Sequence, residues 1–233
     1  MFDRITEGRW WDKPWGLVSG CTPCSPGCIH CWALVRERRF CHGPLPVEIH
    51  PERLDLPLKK KPAAWAIWND LFHGDVDWNF IEEAFGIMDE CNQHIFLILT
   101  KRIERMKEFL TDWDCWMEST WPHVWLGVTV CNQDEAWKID HLLKIPAAVH
   151  FVSHEPALGP VTYPKEFLEL GNRAWLIGGG ESGPGGRDLL VETVRHDRDQ
   201  CQRSGVRFLF KHWGKRGAGR LLDGREWNEI PGL

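Results

Sequence analysis

Six short apolar runs recur along the chain at 65–68, 95–99, 124–130, 149–152, 175–177 and 206–210. They are rich in β-branched and aromatic residues and lack the polar alternation of a sheet with one wet face. They therefore read as strands buried on both faces. Their starts lie roughly 25–30 residues apart, about one strand plus one crossover helix. The stretch 15–20 reads as a further strand ahead of them. Between the runs the apolar residues follow a helical period. Phe80, Ile81, Ala84, Phe85 and Met88 share one face, as do Ile103, Met106 and Leu110. Asn132, with Glu135 three positions later, has the form of a capping box opening a helix with Ala136, Ile139 and Leu143. A helix from about Val191 is expected to end at Gly205. This βαβα order predicts an α/β fold with a parallel sheet of six or seven strands, doubly wound or barrel-like.

The chain has 233 residues, which suits one large domain or two small ones. No linker divides it, and the Pro/Gly-rich stretch 183–186 reads as a loop within a single domain 1–233, followed by a C-terminal tail from about 214. At 43% hydrophobic residues it can bury a full core, which excludes a disordered chain. No apolar run approaches the ~18 residues of a membrane span. The first residues lack the basic-then-apolar layout of a secretion signal, so a cytoplasmic location is expected. A net charge of -5 argues against indiscriminate binding to polyanions.

In parallel sheets, function gathers where strands end and loops begin. Each run here is followed by polar residues: Asn69, Asp70 and His73; Lys101 and Arg102; Asn132 and Gln133; Ser153, His154 and Glu155; Glu181 and Ser182; Lys211, His212 and Trp213. Loop residues are polar in any protein, so one such cluster says little. A cluster after every strand predicts a single site.

The densest cluster follows the first expected strand: Cys21-Thr-Pro-Cys24-Ser-Pro-Gly-Cys28-Ile-His-Cys31-Trp32. Zinc ribbons place roughly 15–20 residues between two C-x2-C pairs, and three residues are too few for two knuckles on one ion. Thiolates packed on one short loop suit an iron–sulfur cube, which offers several irons to it. The flanking prolines and glycine argue against buried structural thiols. The scattered Cys41, Cys91, Cys115, Cys131 and Cys201 read as core thiols. Cys131 stands apart, just past a strand end.

The spacing Cys24-x3-Cys28-x2-Cys31 resembles that of the radical S-adenosylmethionine superfamily. A wider resemblance runs through eight blocks in order: SGCTPCSPGCIHCWA, WAIWNDLFHGDV, FLILTKRIERM, VWLGVTVCNQ, FVSHEPALGPV, LIGGGESGPGGR, DQCQRSGVRFLFKHWG and GRLLDGREWNEIPG. Together they resemble a phage and prophage three-cysteine-motif family, classed as a domain of unknown function and regarded as radical-SAM-like. The resemblance implies a (β/α)6-type partial TIM barrel. It implies a [4Fe-4S] cluster on three thiolates, whose open iron holds the methionine moiety of S-adenosylmethionine. One electron from a flavodoxin- or ferredoxin-type donor would then release a 5′-deoxyadenosyl radical. Cys28 and Cys31 are implied as ligands. The third is Cys24 by spacing, or Cys21 by the family's Cys-x6-Cys-x2-Cys pattern. The Gly-Gly-Glu segment of such enzymes follows the second strand, whereas here Asn69-Asp70 stands there and Gly179-Gly180-Glu181 comes late. These five residues and Ser153 are the candidates for binding the cofactor.

Glu155, Lys101 and Cys131 are candidate catalytic residues, and Arg102, Arg187, Lys211 and His212 candidate phosphate-binding residues. Lys215 and Arg216 add charge nearby, and Lys59, Lys60 and Lys61 read as a solvated loop edge. His154 reads as a satisfied core histidine. A phage association points to a modified nucleobase in DNA as substrate, made or rearranged inside a bacterial host. Two other classes remain: a zinc-binding nucleic-acid module, and an inactive barrel that binds a partner. The 15 tryptophans, against 1 tyrosine, are the other surplus. Trp32, Trp68, Trp125, Trp175 and Trp213 fall at or beside strands, where indoles wall a dry pocket or stack a base. Trp10, Trp11, Trp113 and Trp116 have no assigned place.

Overall fold

The structure, a computed structural model, describes residues 1–35, 46–112, 121–214 and 219–232. Cys41, Cys115, Trp113, Trp116, Lys215 and Arg216 lie outside the described residues. The strands are β1 (Lys13–Trp15), β2 (Val18–Ser19), β3 (Glu48–Ile49), β4 (Ala64–Ile67), β5 (Ile95–Thr100), β6 (Val124–Thr129), β7 (His150–His154), β8 (Ala174–Gly178) and β9 (Arg207–Phe210). The helices are α1 (Trp78–Glu90), α2 (Ile103–Lys107), α3 (Trp137–Leu142), α4 (Lys165–Leu168) and α5 (Val191–Ser204). Seven strands form one all-parallel sheet in the order β1-β4-β5-β6-β7-β8-β9. The sheet curls into a half-barrel, a partial TIM-like arrangement.

Each of the six apolar runs is a strand of this sheet. The stretch 15–20 is not one strand. The Leu17 N–H turns back onto the Trp15 carbonyl at 3.0 Å and redirects the chain. β1 therefore stays in the main sheet, while β2 pairs antiparallel with β3 in a separate ribbon. The expected capping box also differs. Glu135 turns its carboxylate to the Cys131 N–H at 2.9 Å and the buried Lys138 ammonium at 2.6 Å, leaving Asn132 uncapped. A buried cation within reach outweighs one backbone donor. Gly205 ends α5 with a φ of 77°, the left-handed turn that glycine adopts without strain.

Strand alternation sorts the core into two parts. Outward residues such as Ile67, Phe96, Val128 and Val152 pack under the helices. Inward residues such as Leu97, Trp125, Phe151 and Trp175 fill the concave side. The N-terminal segment completes that inner core. Phe2 stacks on Trp125 at 5.5 Å and meets Trp175 edge-on at 5.7 Å, and Trp10 packs on Phe151 at 5.6 Å. Asp12 fastens the segment by accepting the N–H groups of Phe2, Asp3 and Ala64 at 2.8–2.9 Å.

Residues 219–232 are not a loose tail. Asn228 bridges to Leu209, and Trp227 is buried beneath the Arg225 guanidinium, 3.5 Å from its ring. This segment covers the outer edge of β9, a row of backbone groups otherwise open to pairing. Among the described residues no helix is long and apolar enough to cross a membrane.

Candidate functional site

The inner core fills one end of the half-barrel. The other end, beyond the last residues of the strands, holds a cavity of about 570 Å³, within the usual range for small-molecule sites. The same alternation decides what faces it. Trp68, Lys101, Thr129, Ser153 and Lys211 all line it. Thr129 and Ser153 are register partners on β6 and β7, and each is 2% exposed. Both hydroxyls lie at the cavity, where each can donate or accept a hydrogen bond with whatever fills it.

The loop 21–31 closes one side, with Cys21, Cys24, Cys28 and Cys31 all lining the cavity. Ser25 caps a turn of 3-10 helix at Pro26–Cys28 through the Gly27 N–H. Two arginines then hold the loop. Arg102 donates to the Thr22 carbonyl at 2.8 Å and is anchored on Asp70 at 2.9 Å. Arg187 donates to the Pro26 carbonyl at 2.9 Å and is anchored on Glu181 through its Nε, also at 2.9 Å. His73 adds a bond to the Thr22 hydroxyl at 2.7 Å. Gly27 lets the loop pack tightly, since a Cβ there would lie 2.4 Å from Cys131 Sγ and 2.9 Å from Pro156. Gly27→Ala is therefore expected to cost about 1–3 kcal/mol. Urea unfolding checks this, and an unchanged midpoint would contradict the packing described.

The thiols differ electrostatically. Interaction with the neighbouring Cys24, helped by Lys101 against the penalty of burial, lowers the Cys28 thiol to about 5. The same interaction raises the exposed Cys24 in turn. Burial also raises Cys21, although Arg102 opposes it. Burial works against the Lys101 charge as well, but Cys131, Cys28, Cys31 and Asp70 outweigh it and hold the ammonium above its ordinary value. A cation thus sits among the sulfurs. Among the described residues no three His, Cys, Asp or Glu side chains converge as a group able to hold a single metal ion.

The other expected site residues divide by what they already bind. Asp70 accepts from the Phe72 and Lys101 N–H groups, the Thr100 hydroxyl and Arg102, so its carboxylate is committed to the loop anchor. Asn69 faces the cavity with a left-handed φ of 61° and donates to the Val18 carbonyl at 2.9 Å. Glu181 and Arg187 are committed to each other. Gly180 lets backbone meet backbone, since a Cβ would come 2.7 Å from the Trp213 carbonyl oxygen. Gly179 packs on Lys211 and Glu155. Cys131 is fully buried behind the loop, 3.6 Å from Ser25 Oγ, and burial raises its thiol to about 11. Cys91 and Cys201 are buried in the core. His154 points into the helix layer, bonded to Asp197 at 2.7 Å and to Tyr163.

Glu155 follows β7 and meets Lys211 Nζ at 2.5 Å and His212 Nε2 at 3.2 Å. Burial pushes its carboxyl up, but these two partners win and hold it at about 2, below the ordinary 4.5. A depressed carboxyl stabilises the fold above its unfolded value, and that stability is lost as pH falls toward about 2. Glu155→Gln should therefore flatten the decline in urea midpoint between pH 5 and pH 2.5. A decline as steep as in the parent would contradict the ion pair.

Sequence reasoning placed the loop and the strand-end residues in one cavity. It missed Arg9, Trp11 and Thr129, which also line it. Thr129 was within reach of the alternation rule. Arg9 and Trp11 come from the N-terminal segment, for which no local pattern gives a direction. No curated protein and no solved structure matches the chain. The family described as "Protein of unknown function (DUF5131)" matches residues 5–231. The match spans nearly the whole chain, and the protein belongs to that family.

Proposed function

We propose that the protein is a radical S-adenosylmethionine enzyme whose half-barrel is of the (β/α)6 radical-SAM type. The carrying observation is that all four thiols of the loop line the same cavity as the strand-end residues. The donor set fits an iron–sulfur cluster. Thiolates are its usual ligands, and a cube needs them spread over several irons rather than converging on one point. Cys28, Cys31 and one of Cys24 or Cys21 would hold the cluster. With S-adenosylmethionine bound, the cluster supplies one-electron cleavage to a 5′-deoxyadenosyl radical.

The chain's own residues support that chemistry in distinct ways. Lys101 places positive charge beside the thiolates and favours their ionised form. Arg102 and Arg187 fix the loop from both sides. Thr129 and Ser153 supply hydrogen bonds to a bound cofactor, with Asn69 beside them. Glu155, ionised and paired with Lys211 and His212, fixes charge at the cavity wall. The electron comes from a flavodoxin- or ferredoxin-type partner in a bacterial cytoplasm, and the substrate is a base or base side chain in phage DNA.

Anaerobic reconstitution with iron and sulfide tests the reading. It predicts a brown protein with broad absorbance near ~400 nm and iron bound in stoichiometric excess over protein. A colourless protein holding one zinc would sink it.

A further inference from the structure

Arg102 and Arg187 hold the cysteine loop at the Thr22 and Pro26 carbonyls. A third attachment reaches the loop from behind, at the turn that carries Cys28. It begins with a buried ion pair. Lys138, on α3, donates to Glu135 at 2.6 Å, and the two residues are 4% and 7% exposed. The second Glu135 oxygen accepts the Cys131 N–H at 2.9 Å. Cys131 Sγ and Ser25 Oγ share a hydrogen bond at 3.6 Å. Ser25 makes two bonds to the turn. Its hydroxyl accepts the Gly27 N–H at 3.2 Å, and its carbonyl accepts the Cys28 N–H at 2.9 Å. The polar contacts from Lys138 to Cys28 are therefore continuous. Lys138, Glu135, Cys131 and Ser25 all stand outside the cavity lining.

Stability alone does not account for the pair. Taking two charges out of water costs about what their attraction returns. An apolar pair of similar volume would serve the core as well or better. What an apolar pair cannot do is accept the Cys131 N–H. A carboxylate gripped by a buried ammonium is an acceptor of fixed direction, and a buried donor needs one. The space between Cys131 and the turn is also full. A Cβ on Gly27 would lie 2.4 Å from Cys131 Sγ, so a displacement of Cys131 is passed on to the turn. Cys131, a catalytic candidate from the sequence, is thus a link between Glu135 and the loop and does not face the cavity.

We propose that Glu135 is a positioning residue for Cys28, acting through Cys131 and Ser25 to fix the turn Pro26–Cys28 that aims this thiol. That Cys28 is a cluster ligand rests on the proposed function, whereas the link from Glu135 to the turn does not. Two double variants of the intact protein test it. Hydrogen–deuterium exchange is read before reconstitution, and the electron paramagnetic resonance spectrum of the reduced cluster after it. Glu135→Leu with Lys138→Met removes both charges and the acceptor but keeps the space filled, so its urea midpoint should equal or exceed the parent's. Exchange at residues 25–31 should nonetheless quicken by about 5- to 150-fold, the scale of one buried hydrogen-bond partner lost. The sheet strands should exchange as before, and the cluster spectrum should shift or broaden. Glu135→Gln with Lys138→Met keeps an uncharged acceptor for the Cys131 N–H and should restore both readouts. Ser25→Ala, which leaves the ion pair untouched, should quicken the same amides.

Parental exchange in the loop, either in the Leu/Met double variant or in Ser25→Ala, would overturn the proposal. So would quickening spread evenly over the sheet, which would make the ion pair an element of stability alone. A glutamine variant that behaves like the leucine one would overturn it as well. A loop that loosens and recovers as described, in a protein that takes up no iron, would uphold the link to the turn while the radical reading fell.

Discussion

Cys28→Ala and Cys31→Ala are each expected to abolish iron uptake and S-adenosylmethionine cleavage, a loss of more than about 100-fold. Residues that only support a metal ligand already cost about 10–100-fold when changed, so loss of the ligand itself lies beyond that. Both thiols line the cavity and both help to hold up the Lys101 charge. Cys91→Ala, in the core, is the control and should retain iron. The third ligand separates in the same series. Cys21 lies 3.9 Å from the Arg102 guanidinium and turns toward the Thr22 carbonyl, so its thiol already has partners, and the spacing Cys24-x3-Cys28 favours Cys24. Cys24→Ala should therefore lose iron and Cys21→Ala should keep most of it. Iron content per protein, measured after identical reconstitution, reads the series. The opposite order would assign the site to Cys21.

Asp70→Ala is expected to be the most damaging change outside the thiols. One buried carboxylate accepts from two backbone N–H groups, a hydroxyl and the Arg102 guanidinium. Removing it strands a partly buried arginine and a buried hydroxyl. Breaking such a pair from one side costs about 3–5 kcal/mol. The same change frees Arg102 from its anchor, so the Thr22 end of the cysteine loop should loosen. Urea unfolding measures the first effect, and protease cleavage within the loop the second. A variant as stable as the parent, with the loop still protected, would show that Asp70 is not the hub described.

The strands were legible because burial on both faces leaves a plain mark: a short β-branched run with no polar alternation. The cavity side of each strand end obeys a period of two, but the runs alone do not say which parity faces inward, and Thr129 was missed. Three things were hidden, each for a physical reason. The break after Trp15 turns on one backbone hydrogen bond at Leu17, which no side chain announces. Asp70, Glu181, Arg102 and Arg187 looked like ligand-binding residues because charged groups after strands usually are. Here they pair with one another to hold the loop, and only their three-dimensional neighbours reveal that. Phe2, Trp10 and Trp11 lie in a segment too short to show a period, so their roles in the inner core and the cavity wall could not be read. The tryptophan surplus resolves accordingly, with Trp125 and Trp175 in the inner core and Trp11, Trp32 and Trp68 at the cavity.

The central claim is tested most directly by incubating the anaerobically reconstituted protein with S-adenosylmethionine and dithionite, then measuring 5′-deoxyadenosine. The account predicts that 5′-deoxyadenosine and methionine form in equal amounts, and that neither forms with Cys28→Ala. Fully reconstituted protein that yields no 5′-deoxyadenosine, or yields it equally with Cys28→Ala, would contradict it.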